Sequence, residues 1–300
     1  MQNSPAASAL IRQTYVTFAA LWAAWTLTWA LKALVLDARF GWLTTSLGGF
    51  VFWCAAKVLL WVLPALFLVG LSGRTLREVL NFGNWRSWLA WGGGVGFLIA
   101  ITGFVPHALQ GKPLLPTAFS IPLLNVLTVA PVLEEFLIRG AVFGNLLRGH
   151  SLRTANAASA LLFVLLHMPG WYFTGNLAEN MTRPVGGALS ILVLGLLFGY
   201  AAYRGKSVAG AMIAHFLNRG YPSNRTGCRL RRWITPVLAR TIRGPWASSR
   251  PGSEPMRTAW TTWSGYDGPQ GSPARTAGTT EAGSLAMAGS CVPGAAAVPR

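Results

Sequence analysis

Long apolar stretches separated by short polar segments make up most of the first 218 residues. These stretches lie near residues 16–36, 48–70, 88–106, 118–147, 155–168, 185–203 and 206–218. A hydrocarbon core of roughly 30 Å needs about 20 helical residues to cross it. The pattern therefore predicts an all-α fold: a polytopic bundle of about seven transmembrane helices.

The overall composition favours the same interpretation. Only 11% of the residues are charged and the mean hydropathy is +0.43, whereas soluble domains contain about 25% charged residues. Cys54, Cys228 and Cys291 show no metal-pair or disulfide spacing. The net charge of +17 comes from scattered arginines without a nucleic-acid motif. We therefore expect the lipid bilayer, and no nucleic acid, as a partner.

The distribution of positive residues between the loops predicts the orientation. Eight of them fall on one side of the predicted bundle: Arg12, Arg74, Arg77, Arg86, Arg148, Arg153, Arg204 and Lys206. Three fall on the other side: Arg39, Lys112 and Arg183. The positive-inside rule then places the N-terminus in the cytoplasm. The composition is typical of a GC-rich gene, so we expect a bacterial cytoplasmic membrane.

Residues 219–300 depart abruptly from this pattern. Eight arginines lie between positions 219 and 250, and the rest is rich in Gly, Ala, Ser, Pro and Thr. Such a composition predicts a basic, low-complexity, disordered tail. It is either a genuine appendage or the product of a shifted reading frame that replaced a last helix. We divide the chain into N-terminal transmembrane helices (1–117), a helical core (118–218) and this tail.

Polar groups at membrane depth are candidate functional residues, because burying them there is costly. The first set is Glu134, Glu135 and Arg139. Glu135 and Arg139 are four residues apart on one helix face and are predicted to pair. Glu134 lies about 100° round the helix from Glu135. The residue four positions after it is Ile138, so no cation follows it on the same face. We expect it to face a cavity and, with a raised proton affinity, to serve as a general base.

Two further polar sets occur on later helices. Phe163 and His167 share one face, and Pro169 together with the glycine after it is predicted to end that helix. His215 and Asn218 are three residues apart on another helix. An amide beside an imidazole is suited to stabilising a developing oxyanion. Three such sets on three separate helices favour a functional site.

Structural explanations exist for each set taken alone. A Glu–Arg pair can be a clamp, a histidine near a helix end can simply pack, and a His–Asn pair can form hydrogen bonds between helices. Lys32 and Lys57, on the first two spans, are predicted to be interfacial anchors whose amines reach the membrane surface. The chain has no HExxH helix and no Gly-x-Ser-x-Gly elbow, which argues against a standard zinc protease or serine hydrolase.

Together the three sets resemble the CPBP family of intramembrane proteases, also called CAAX proteases. The family's EExxxR motif corresponds to Glu134–Arg139, its FxxxH motif to Phe163–His167, and its final His–Asn motif begins at His215. The resemblance covers about residues 120–218. It departs at one point: the family's usual Asn stands four residues after the His, where this chain has Arg219, and Asn218 lies one position earlier.

The resemblance implies an intramembrane endopeptidase with a conical cavity open to the membrane and the cytoplasm. It implies four catalytic residues: Glu134, His167, His215 and Asn218. Of these, the glutamate would activate a water that the first histidine helps to hold, and the last two would stabilise the oxyanion. It also implies three supporting residues that hold the shape of the site: Glu135, Arg139 and Phe163.

The residues leave two questions open. If a metal such as zinc takes part, its ligands would be Glu134, His167 and His215; a Glu-activated water with His and Asn donors needs no metal, and we favour that alternative. The substrates that we expect are membrane-associated peptides or proteins rather than the prenylated CAAX proteins of eukaryotic relatives. The alternatives are a non-catalytic immunity or scaffold protein of the same fold, an inactive truncated family member, or a small transporter with a carboxylate proton relay.

Overall fold

The structure is a computed structural model, and it describes residues 4–111 and 119–219. Within these ranges every regular element is a helix, and contiguous α and π turns are joined here under one label. The elements are α1 (Pro5–Arg39), α2 (Ser46–Leu71), α3 (Leu76–Leu80), α4 (Trp85–Leu109), α5 (121–146), α6 (Leu152–Phe173), α7 (Leu177–Thr182), α8 (Ala188–Gly205) and α9 (Val208–Arg219). Short 3-10 turns follow α1 and α3.

The all-α prediction is confirmed for the described residues, and seven of the helices coincide with the seven predicted apolar stretches. Three of them are long and apolar enough to cross a membrane: α1, α2 and α8. Helix α9 is apolar over Val208–Asn218 but short. The count of seven spans therefore stays a prediction. Apart from Arg219 at the end of α9, the predictions for residues 219–300 lie outside the described residues.

Local sequence explains where several helices begin. The hydroxyl of Ser4 accepts a hydrogen bond from the backbone N–H three residues later, and Pro5 occupies the first helical position of α1. Thr45 and Ser151 cap α2 and α6 in the same way. Each cap satisfies a backbone donor that a helix start leaves unpaired, which matters more where little water is available.

Helix α5 lies at the centre of the described bundle. It packs against α1, α2, α6, α8 and α9, and all eight residues of its π-helical segment Phe136–Phe143 are buried. π turns are uncommon in proteins, and those that occur are frequently found at functional sites. Because α5 is surrounded by other helices, a charged group on its middle turns must find its partner on α5 itself or on one of these neighbours.

The prediction that Pro169 ends its helix is wrong, because α6 continues to Phe173. A proline inside a helix leaves the carbonyl four residues earlier without its backbone donor. Here the indole Nε1 of Trp22 on α1 donates to the Leu165 oxygen at 2.8 Å. The ring of Trp29 fills the space beside Gly170, where a Cβ would lie 3.0 Å from a ring carbon. Helix α1 thus supports α6 across the proline.

A buried polar contact fixes the C-terminal end of α5. The Arg74 guanidinium, in the turn after α2, donates to the Asn145 side-chain oxygen at 2.7 Å. The fully buried Asn145 amide donates in turn to the Leu68 carbonyl at 3.0 Å and to the Thr14 hydroxyl at 3.2 Å. Burial, with Arg148 nearby, lowers the pKa of Arg74 to about 10, so it stays charged at neutral pH.

Glycines bring α4 and α9 into backbone contact. A Cβ at Gly92 would lie 2.3 Å from the Gly210 oxygen, and a Cβ at Gly96 would lie 2.6 Å from a methyl carbon of Leu217 and 3.0 Å from Cα of Ala214. Membrane helices commonly use small residues for such close approach. This contact sets the position of α9, which carries the His–Asn pair.

We expect Gly92→Ala to destabilise the protein by about 1–3 kcal/mol, the usual cost of an overpacked contact. Gly93→Ala is the matched control, since nothing lies within 4 Å of its Cβ position. There the alanine should be neutral or stabilise the helix by up to about 1 kcal/mol. Thermal unfolding in detergent, followed by circular dichroism, measures whether Gly92→Ala lowers the melting temperature and Gly93→Ala does not. Equal melting temperatures would argue against the close approach.

Candidate active site

Side chains from the three polar motifs meet inside the described bundle. The Phe163 ring of α6 contacts the His167 ring edge-on at a centroid distance of 4.8 Å, and the His215 ring of α9 at 6.2 Å. His215 Nδ1 lies 2.8 Å from the Glu135 Oε1 atom of α5. Residues far apart in the chain are thereby joined into one buried cluster.

The Glu135 carboxylate is fully buried and bridges two partners. Its Oε1 atom accepts the hydrogen bond from His215, and its Oε2 atom lies 3.3 Å from Nη1 of Arg139. The Glu135–Arg139 pair predicted from the spacing is present, whereas the contact with His215 was not predicted. A buried carboxylate without such partners would be very costly, and here both oxygens face a cation or a donor.

The Arg139 guanidinium is enclosed on several sides. Nη2 donates to the Gly195 carbonyl of α8 at 2.7 Å. Its central carbon lies 4.5 Å from the Phe163 ring centroid and 5.8 Å from that of Phe198. A Cβ at Gly195 would lie 3.2 Å from Nη2, so the glycine gives the guanidinium room to reach the carbonyl. Planar stacking and a fixed fork of donors suit arginine to this position better than lysine.

The surroundings of His215 define the role of each ring nitrogen. The ring is 1% exposed and stacks on Phe198 at 4.8 Å with an interplanar angle of 20°. Nδ1 faces the Glu135 carboxylate, which accepts hydrogen bonds, so Nδ1 carries a proton. The other nitrogen, Nε2, is then an acceptor in the neutral ring and a donor only in the imidazolium form.

His167 is oriented by its own helix. Its Nδ1 atom lies 2.8 Å from the Phe163 backbone oxygen. A carbonyl oxygen only accepts hydrogen bonds, so Nδ1 carries the proton and Nε2 is the acceptor of the neutral ring. The ring is held between Phe163 and Trp171, whose centroids lie 4.8 and 5.9 Å away. A neutral His167 in this orientation is suited to accept a hydrogen bond from a water.

Glu134 is 6% exposed and has a cationic neighbour that the sequence did not predict. The Lys57 Nζ atom of α2 lies 3.6 Å from Glu134 Oε1. The interfacial-anchor prediction is wrong for Lys57, which is 8% exposed. Lys32 is 7% exposed and pairs with Asp37, and its place at the membrane surface stays a prediction. Their ammonium groups turn inward because a carboxylate is within reach of each. The position of Lys57 near the middle of a long apolar stretch is the sequence feature that could have indicated a buried partner.

Asn218 does not join the charged cluster. It lies on α9 three residues after His215 and is half-buried. Within residues 4–111 and 119–219, no hydrogen bond or ion pair connects its side chain to the cluster. Its proposed role toward an oxyanion therefore stays a prediction.

The geometry of the predicted ligands does not fit a zinc site. Among the described residues, no three His, Cys, Asp or Glu side chains converge as metal ligands. His215 and His167 each direct Nδ1 at a carboxylate or a carbonyl, which leaves Nε2 as the available ligand atom, as in many metal-bound histidines. Glu134, however, lies beside an ammonium that would repel a metal cation. A zinc centre needs three or four such donors around one point. The chemistry below therefore contains no metal step.

Comparison with known proteins agrees with the motifs. The family model described as "Type II CAAX prenyl endopeptidase Rce1-like" matches residues 116–221. No curated protein and no solved structure matches the chain. The matched segment contains α5 to α9, and with them all three motifs. Over residues 116–221 this chain is therefore similar to the Rce1-like type II CAAX prenyl endopeptidases, which confirms the CPBP resemblance carried by the three motifs.

Proposed function

We propose that the protein is an intramembrane endopeptidase that hydrolyses peptide bonds of membrane-associated peptides or proteins. The observation that carries this proposal is the contact between the three motifs. Phe163 touches both motif histidines, and His215 is bonded to Glu135 at 2.8 Å. Ionisable groups inside apolar helices are costly, and their concentration at one point favours a catalytic role.

Glu134 is the proposed general base. Its carboxylate accepts a proton from a water while the water oxygen attacks the scissile carbonyl carbon. His167 accepts the second hydrogen of that water at Nε2, which orients the attacking lone pair. When the tetrahedral intermediate collapses, the C–N bond breaks and Glu134 returns its proton to the leaving amine nitrogen. The carboxylate is then regenerated.

The proposed oxyanion donors are His215 and Asn218. With its Nδ1 proton engaged by Glu135, His215 donates to the oxyanion from Nε2 as an imidazolium. The Asn218 amide would supply a second donor, and one such donor accounts for about 100- to 1,000-fold in rate in other hydrolases. Glu135 and Arg139 support the site by fixing the orientation of His215.

The substrate class is proposed from the location of the site. The groups lie on helices of an integral membrane protein, which favours substrates that are themselves associated with the membrane. The matched family is described as a prenyl endopeptidase family. Assays therefore include both a prenylated peptide ending in a CAAX sequence and an unmodified membrane-associated peptide. Cleavage of either one by the wild-type protein supports the endopeptidase.

We expect Glu134→Gln to lower kcat/KM by at least about 100-fold, since general-base catalysis contributes 100- to 10,000-fold. Glu179→Gln is the control, because Glu179 is an exposed carboxylate paired with Arg183 outside the cluster. Cleavage in proteoliposomes is followed by mass spectrometry, and gel filtration verifies folding. Wild-type rates in a folded Glu134→Gln variant would exclude the proposed base and assign that role to another group.

Arg139→Met should destabilise the protein by about 3–5 kcal/mol, because it leaves the buried Glu135 charge with one partner fewer. Arg183→Met is a matched control, since it removes the arginine of another i,i+4 Glu–Arg pair, one that is partly exposed. Exposed pairs contribute about 0–1 kcal/mol. Unfolding of both variants in detergent measures the difference. Similar losses in the two variants would contradict the supporting role of Arg139.

A further inference from the structure

A lysine from the N-terminal helices reaches the proposed base. Lys57 lies on α2, outside the segment that matches the protease family. Its Nζ atom is 3.6 Å from Glu134 Oε1 and 4.8 Å from the Trp61 ring centroid. Both members of this ion pair have side chains no more than 10% exposed. The contact joins two groups that would each be costly to bury alone.

Other titratable groups lie on α5 itself and on the helices packed against it. They are Glu135 and Arg139 on α5, Cys54 on α2, His167 on α6 and His215 on α9. Arg139 and His215 are both directed at Glu135, and His167 directs Nδ1 at a backbone carbonyl. Cys54 lies one turn before Lys57 on α2. Among the described residues, the ion pairs within 4 Å join Arg139 to Glu135 and Lys57 to Glu134.

We propose that Lys57 is a positioning residue that keeps the Glu134 carboxylate ionised and oriented for the attack; this inference rests on the proposed function. An opposite charge at this distance favours the ionised form of a carboxylic acid. The 3.6 Å separation is longer than a charge-assisted hydrogen bond of about 2.7–2.9 Å. The ammonium therefore favours the charge without occupying the oxygen as a direct donor. Trp61 holds the ammonium through a cation–π contact.

The same pair affects the second half of the reaction. When Glu134 takes a proton from the water, its charge is lost and Lys57 is left as an unbalanced cation beside a neutral acid. An unbalanced cation in a low-dielectric interior disfavours that state. It therefore favours transfer of the proton onward to the leaving amine, which restores the carboxylate. Lys57 exchanges no proton in this sequence and contacts no reacting atom of the substrate.

The first test is the pH dependence of kcat/KM of the full chain in proteoliposomes, with a membrane-associated reporter peptide. In Lys57→Met we expect a loss of about 10-fold or more on the acidic limb and a smaller loss at the plateau. The acidic limb of the profile should move upward by about one pH unit or more, the usual size of the effect of a nearby opposite charge. Lys57→Arg keeps the charge and should leave the limb close to the wild-type position.

Lys32→Met is the matched control, because Lys32 is an equally buried lysine that pairs with Asp37 instead of Glu134. Its acidic limb should coincide with that of the wild type. A uniform loss of activity in Lys57→Met with an unmoved limb would overturn the inference and assign Lys57 a packing role. A rise in KM alone would also overturn it, because Lys57 would then contact the substrate.

A second test reads the ion pair without any activity. Melting temperatures are measured for Lys57→Met, Glu134→Gln and the double variant. Each single change leaves one buried charge, so both should lower the melting temperature, and the double variant should recover part of the loss. Strictly additive losses would overturn the pair even in an active enzyme. Coupled losses in a protein that cleaves neither peptide would refute the proposed function, and with it the positioning role of Lys57.

Discussion

The Glu135 carboxylate is the group on which the rest of the site depends. It is buried on the central helix, and it contacts an arginine on its own helix and a histidine 80 residues later in the chain. Removing one partner of a buried ion pair typically costs about 3–5 kcal/mol, because a charge is then left uncompensated. Because of this penalty, α9 packs against α5 in the orientation about its own axis that directs Nδ1 of His215 at the carboxylate. The position of the other motifs follows through Phe163, which touches both histidines and the Arg139 guanidinium.

Small residues make this arrangement sterically possible. Lipid tails are as apolar as leucine side chains, so membrane helices associate through close packing and polar contacts rather than through the hydrophobic effect. Gly195 leaves space for the Arg139 guanidinium to reach a backbone oxygen, and Gly92 lets α4 approach the backbone of α9. Gly199 leaves space for Asn156, whose amide donates to the Leu196 carbonyl at 3.0 Å. These glycines lie where two helices must come within contact distance of a polar group or a backbone.

The sequence predicted what is local and missed what depends on the arrangement of helices. The long helices follow from apolar run length, and the Glu135–Arg139 pair follows from a spacing of four residues. Three contacts were not predicted because they join helices that no periodicity identifies as neighbours: His215 with Glu135, Lys57 with Glu134, and Trp22 with the Leu165 carbonyl. The continuation of α6 past Pro169 was missed for the same reason, since the replacement donor comes from a residue 143 positions away from its acceptor. The identity of the motif residues therefore came from the sequence, and the partners that make their burial tolerable came from the fold.

These long-range contacts change the interpretation of the N-terminal helices. The predicted division places residues 1–117 apart from the core at 118–218, and the family match begins at residue 116. Yet α1 supplies the donor for the Leu165 carbonyl of α6, which lies between Phe163 and His167 in the chain. Helix α1 also supplies the Thr14 hydroxyl that accepts a hydrogen bond from the Asn145 amide, and α2 places the Lys57 ammonium beside Glu134. Without these two helices, the matched segment would contain an unpaired backbone carbonyl, a buried amide with fewer partners and a carboxylate without this cation, each of which is costly away from water. The side chains that pair with these buried polar groups thus lie partly outside the matched segment.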